Sequence, residues 1–230
     1  MFVVSERWRN TYPDAMVAIL VVRGATNVRE HSELERRKRV LENELAFRFR
    51  NPDDIKSART IQAYASYYKR FEKTYHLVQQ LKTVVVKQRP LPIVSGLVDV
   101  MFMAEMRNLL LTAGHDLATV VPPISIDVGT GTEQYVKLNQ ESQVSKSADM
   151  MLVDGVGILS TVIHGPDYRS RITYETRDAL YVVYAPDGVE REDVCRHMRD
   201  IEESILIFSP SASVERVRML SARGIEDVDV

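Results

Sequence analysis

The sequence predicts an α+β fold, with helices packed on a mixed, largely antiparallel sheet. Helical periodicity dominates residues 32–111, whereas short β-prone pieces punctuated by Gly, Asn, Asp or Pro dominate residues 124–184. A helical stretch followed by a run of strands suits helices layered over a sheet better than alternating βα units do.

Taken in order, Ala15–Val22 is a compact apolar run that reads as a buried strand turning at Arg23-Gly24. Ser32 and Glu35 have capping-box spacing, which satisfies the first free N–H groups of a helix. Leu34, Leu41, Leu45 and Phe49 then share one face until Asn51-Pro52-Asp53 ends that helix. Residues 54–70 read as helical, with Ile55, Ile61, Ala65 and Tyr68 available to the core. Another helix covers His76–Lys87, stopped by Pro90 and Pro92. Leu97–Leu111 is apolar nearly all round, as befits a helix buried between layers, with Met101, Met103 and Met106 as core filler. Strands are expected at Ile124–Val128, Tyr135–Leu138, Met150–Val153, Gly157–Ile163 and Leu180–Tyr184. A last amphipathic helix spans Glu190–Ile205, carrying Val194, Met198, Ile201 and Ile205 on one stripe. The expected organisation is an N-terminal extension over residues 1–14, a single domain over 15–208, and a short helix with an acidic, mobile tail over 209–230.

The chain has 230 residues, 45% of them apolar and 27% charged, enough to bury a core without disulfides or metal. Cys195 is alone, which excludes an internal disulfide or a cysteine zinc cluster and suggests a reducing, cytoplasmic setting. The N-terminus is charged too early for a signal peptide, and no apolar run approaches the roughly 20 residues that span a bilayer. Net charge is −2, but Arg36–Arg89 holds 14 Lys and Arg against 5 Asp and Glu. From Glu190 onward the balance is 10 acidic to 6 basic. Two readings fit: a basic half that meets a polyanion, or a pair of solvated helix faces.

Familiar catalytic motifs are missing. Gly129-Thr130-Gly131-Thr132 lacks the Lys-Ser/Thr of a P-loop and reads as a hairpin turn. The histidines at 31, 76, 115, 164 and 197 have no metal-ligand spacing, and no Gly-x-Ser-x-Gly elbow occurs, so neither metal nor cofactor is expected. Cys195 reads as a structural thiol. One segment is chemically dense, His164-Gly165-Pro166-Asp167-Tyr168-Arg169-Ser170-Arg171-Ile172-Thr173, an expected exposed connection between β-prone runs. In extended chain Arg169 and Arg171 fall on one side, where they suit phosphate or carboxylate, or else pair with Asp167 and Glu175.

Those residues carry a resemblance. Met150–Pro186, with Asp154-Gly155, Ile163-His164-Gly165-Pro166-Asp167, Arg171-Ile172-Thr173 and Val183-Tyr184-Ala185-Pro186, is similar to the B3/B4 family, the tRNA-editing domain of the phenylalanyl-tRNA synthetase beta chain. Leu91-Pro92, Leu97-Val98-Asp99 and Ala113–Asp116 extend the likeness across residues 15–208. It implies an α+β fold whose cleft admits the aminoacylated 3′ end of tRNA and hydrolyses the ester of a wrong amino acid. His164, Gly165 and Thr173 would be catalytic, Gly165 through backbone donors and Thr173 by orienting a water. Arg169 and Arg171 would hold phosphates or the substrate carboxyl region, and Thr112, His115, Asp116 and Val182 would contact substrate or tRNA. Phe102 stands where the family has a helix-borne asparagine, Thr112 near a pocket histidine, and Val182 where a glutamate selects the amino acid, so the accepted side chain should differ. No segment resembles the synthetase's ATP-binding motifs, so aminoacylation is not implied. The expected partner is tRNA or aminoacyl-tRNA; the alternatives are a non-catalytic RNA-binding module and a pocket for a free amino acid.

Overall fold

A computed structural model describes residues 2–229. The elements run β1 (Phe2–Val4), α1 (Glu6–Thr11), β2 (Met16–Arg23), α2 (Ser32–Arg48), α3 (Pro52–Ser57), α4 (Arg59–Lys69), α5 (His76–Val85) and α6 (Gly96–Asn108). Then come β3 (Leu111–Asp116), β4 (Ile124–Val128), β5 (Gln134–Val136), β6 (Ser142–Val144), β7 (Met150–Val153), β8 (Ile158–Thr161) and β9 (Gly165–Pro166). The chain closes with β10 (Ala179–Ala185), α7 (Arg191–Phe208), β11 (Ser213–Val214), β12 (Val217–Ser221) and β13 (Gly224–Val228). The fold is α+β, as the sequence predicts.

An antiparallel sheet ordered β13-β12-β2-β10-β3 forms the spine, with β11 pairing β2. Every residue of β10 is buried and so are Val17–Val22 of β2, because both faces of these central strands are covered. On one face Tyr181 donates to the Leu97 carbonyl of α6 at 2.8 Å, and Thr112 Oγ1 meets His197 Nε2 of α7 at 2.7 Å. On the other face Tyr184 Oη and His115 Nε2 reach Ser160 Oγ of β8 at 2.7 and 3.1 Å. That β8 belongs to a second sheet, β1-β4-β7-β8-β9, in which β1 runs parallel to β4 and the rest is antiparallel. The hairpin β5-β6 stands apart.

Several stretches differ from the sequence expectation. Residues 54–70 are not one helix: Ala58 is extended (φ −61, ψ 126) and separates α3 from α4, whose Ile61, Tyr64, Tyr67 and Tyr68 are buried. Ser32 lies inside α2 and His31 is the N-cap residue, so the Ser32–Glu35 capping box does not form. The apolar helix stops at Asn108, because Leu109 turns left-handed (φ 65) and sends Leu111–Asp116 into the spine as β3. Burial on all sides makes a helix and a strand equally apolar there, so periodicity could not separate them. Gly129–Thr132 is no hairpin turn; it links β4 and β5, which pair with different partners.

The ends differ most. Within the expected N-terminal extension, β1 pairs with β4 and α1 buries Trp8. Of the expected helix and tail over 209–230, Val230 lies outside the described residues, and residues 209–229 hold the strands β11, β12 and β13 in place of a helix. Val217, Met219 and Leu220 are buried where β12 pairs along β2. Glu226 and Asp227 sit on the edge strand β13 and pair with Arg191 and Arg218. Acidic residues there blunt an edge rather than mark a mobile tail.

Candidate functional site

The buried helix α6 is pinned at its start. Asp99, 1% exposed, accepts from Lys38 Nζ at 2.7 Å and from the Val94 N–H at 2.9 Å, while Asn27 takes the Leu97 N–H at 2.9 Å. Lys38, 2% exposed, also donates to the Pro92 carbonyl at 3.0 Å and so ties α2 to the start of α6. Burial raises the Asp99 pKa despite its lysine. The basic run Arg36–Arg39 is therefore no free cationic strip. Arg36 and Arg37 pair with Glu33, Arg39 pairs with Glu42, and Lys38 is an internal anchor.

From this fixed start, Met101, Phe102 and Glu105 of α6 form one wall of a cleft of about 390 Å³. The opposite wall is Thr161–Pro166, which carries the chain from β8 into β9. His76 and Gln80 of α5 close one side, and Leu111–Ala113 with Tyr184 line the base. Gly165 has φ +80, a left-handed conformation that favours glycine, with open space where a Cβ would stand. At Gly114 a Cβ would lie 2.8 Å from Ile172 Cδ1 and 3.3 Å from Met101 Sδ, so a side chain there would have to displace the ends of both.

One carboxyl and two imidazoles line the cleft. Glu105 is buried and accepts the Thr112 N–H at 2.7 Å. Burial pushes its carboxyl up to about 8, against the smaller opposing effect of that N–H. Burial also lowers His164, assisted by the positive charges of Lys146, Lys137 and Lys73. Burial lowers His76 too, whose Nδ1 lies 3.3 Å from Tyr68 Oη. At neutral pH the cleft thus presents neutral imidazoles, a protonated acid and a basic neighbourhood at His164.

Of the residues singled out from sequence, His164, Gly165 and Thr112 line the cleft. The Thr112 hydroxyl points away to His197, so its contribution inside is main chain. His115 is buried between Ser170 Oγ (2.7 Å) and Ser160 Oγ (3.1 Å), and burial, with the nearby Arg169 charge, lowers it to about 3. Asp116 accepts from the Ala118 N–H and from the Thr176 hydroxyl, an internal bracing role. Val182 is fully buried within β10. The segment after Gly165 is not the expected exposed connection, since Asp167 and Ser170 are buried and hydrogen-bonded to each other. Arg169 turns inward to Asp154 Oδ2 (2.9 Å), the Thr119 carbonyl (2.5 Å) and Asp167 Oδ2 (3.6 Å). Arg171 donates to the Tyr168 carbonyl at 2.7 Å and lies 3.7 Å over the Tyr168 ring. Thr173 receives Asn27 Nδ2 on its carbonyl at 2.7 Å, and it does not line the cleft.

These inward contacts do have a consequence for the cleft. A chain of hydrogen bonds runs from Asp167 through Ser170, His115 and Ser160 to Tyr184, whose ring lines the cleft base. It fixes the spacing between the spine and the wall holding His164. Asp149 braces that wall from beneath: its carboxylate takes the Tyr67 hydroxyl at 2.6 Å and the Ile163 N–H at 3.1 Å, and burial raises it to about 6. Sequence reasoning passed over Glu105, His76 and Gln80. Glu105 left a signal: unlike Asp99 in the first turn and Arg107 in the last, it is a charged residue in the middle of a largely apolar helix.

Cys195 sits on α7, half-buried, and burial raises its thiol pKa, as suits a structural side chain. Among the described residues no group of His, Cys, Asp and Glu is arranged to hold a metal ion, and no helix is long and apolar enough to cross a membrane.

No family model matches the sequence, and no curated protein matches it. Among solved structures it is similar in fold to an N-terminal fragment of the phenylalanyl-tRNA synthetase beta-subunit from Pyrococcus horikoshii, with a TM-score of 0.54 and 13% identity. The likeness covers 100% of this chain and 54% of that one, so the chain spans about half the length of its structural neighbour. At this identity the likeness is one of fold.

Proposed function

We propose that the cleft between α6 and Thr161–Pro166 receives the aminoacylated 3′ end of a tRNA and hydrolyses the ester that joins amino acid and ribose. The observation that carries this reading is the cleft itself. Its wall holds His164 and Gly165 opposite the apolar helix, in a fold like that of a synthetase beta-subunit fragment.

The chemistry asked of the protein is modest. Neutral His164 accepts a proton from a water as its oxygen bonds to the ester carbonyl carbon; the bond to the ribose oxygen then breaks and the proton passes to that oxygen. Gly165 lets the ester approach the main chain, because nothing occupies the position of a side chain. Lys73 and Lys146, whose charges act on His164, are assigned to phosphates of the incoming strand, while Lys137 pairs with Glu141. Arg169 and Arg171, engaged internally, are assigned to the scaffold. Thr173 and Val182 are given no contact with substrate.

Incubating the protein with a panel of aminoacyl-tRNAs tests this directly. At least one ester lifetime should shorten, and His164→Ala should restore it; unchanged lifetimes across the panel defeat the proposal. A second reading is a non-catalytic RNA-binding module, favoured by the absence of Thr173 from the cleft. Salt-sensitive tRNA binding without turnover would select it.

A further inference from the structure

We propose that Glu105 is the anchor for the ammonium group of an aminoacyl ligand, whose apolar side chain rests on Met101, Phe102 and Ile163. The inference rests on the cleft being the ligand site, and it names what the cleft recognises.

Glu105 is buried to 4% exposure yet belongs to the cleft lining, and the Thr112 N–H is its hydrogen-bond donor. Among the described residues no Lys, Arg or His lies within ion-pair distance of its carboxylate. The groups that face it are Tyr64 and Tyr68 from α4, Tyr75 and His76 from α5, and Thr112 from β3, with His197 of α7 behind Thr112. Burial raises the three tyrosines and lowers both histidines, so all are neutral near pH 7. An unpaired buried carboxylate is costly, which is why this one keeps its proton near pH 7. A cation arriving beside it reverses that preference: the acid releases its proton to solvent and pairs with the ammonium. An amino acid esterified through its carboxyl offers such a cation and no competing anion. The rest of the lining is mainly apolar, suiting an aliphatic or aromatic side chain.

The test is calorimetric titration of the full chain with L-leucinamide, N-acetyl-L-leucinamide and 4-methylpentanamide. These share a side chain and a neutral carboxyl end, and only the first carries an ammonium group. Leucinamide should bind at least about tenfold more tightly than the other two. In buffers of different ionisation enthalpy at pH 7, its binding should release about one proton per site. Glu105→Gln should erase both the preference and the proton release while leaving 4-methylpentanamide binding unchanged. Equal affinities, an unaffected Glu105→Gln variant, or no binding by any of the three overturns the proposal. If the variant does not fold, the three-ligand comparison and proton release in the native protein decide. Leucinamide binding without hydrolysis of any aminoacyl-tRNA would remove the deacylase reading and leave the anchor standing. Hydrolysis without ammonium preference would do the reverse.

Discussion

Replacing Glu105 by glutamine should stabilise the protein, and by an amount that depends on pH. Folding raises this carboxyl from 4.5 to about 8, so the folded protein keeps a proton that the unfolded chain has lost across that window. Stability contributed by the site is therefore full below pH 4.5, declines as pH rises, and levels off above pH 8. At about 1.4 kcal/mol per pH unit, the cost of the acid relative to a neutral isostere is roughly 3 kcal/mol at pH 7 and at most about 5 kcal/mol above pH 8. Glutamine is neutral throughout and keeps an oxygen for the Thr112 N–H. For a chain of this size, roughly 3 kcal/mol raises the melting temperature by about 6–12 °C. Paired thermal melts from pH 5 to pH 9 would measure it, with the two proteins converging at pH 5 and diverging upward. A constant offset, or a variant less stable at pH 8, would refute a buried neutral acid at this position.

Other perturbations discriminate equally well. His115 and His197 are lowered to about 3, so the unfolded chain takes up protons below pH 6.5 that the folded protein refuses. Asp149, raised to about 6, and Glu105, raised to about 8, oppose this as pH rises, so denaturation midpoints should peak between about pH 6 and 7. Lys38→Met should cost about 3–5 kcal/mol in urea unfolding by leaving Asp99 buried and unpaired, and adding Asp99→Asn should recover most of it. Arg169→Ala should lower stability by about 2 kcal/mol while leaving the salt slope of tRNA binding unchanged; a reduced slope would return Arg169 to the ligand surface. Gly165→Ala should cost about 1–2 kcal/mol through its φ of +80 and slow any ester hydrolysis more than it weakens binding.

The fold class and most elements were legible because their patterns are local. Ile124–Val128 and Met150–Val153 coincide with the observed strands, and α7 follows its apolar stripe. What the residues could not reveal was pairing. Val217–Ser221 has ordinary strand character, but only its fit against the edge of β2 makes it part of the spine. The candidate site was half legible for the same reason. The turn at His164-Gly165 is written in consecutive residues, so it could be found. Arg169 has a chemistry that suits phosphate, but distant Asp154 and the Thr119 carbonyl claim it. Glu105 belongs to the cleft only because Leu109 ends the helix one turn later and folds β3 back beneath it.

The strands β12 and β13 make the C-terminal segment structural. Shortening the protein at residue 208 would leave Met16–Arg23, apolar along most of its length, as an unguarded sheet margin. A shortened version should therefore cluster with its own copies instead of remaining monodisperse, and an affinity handle is better attached beyond the hairpin than substituted for it.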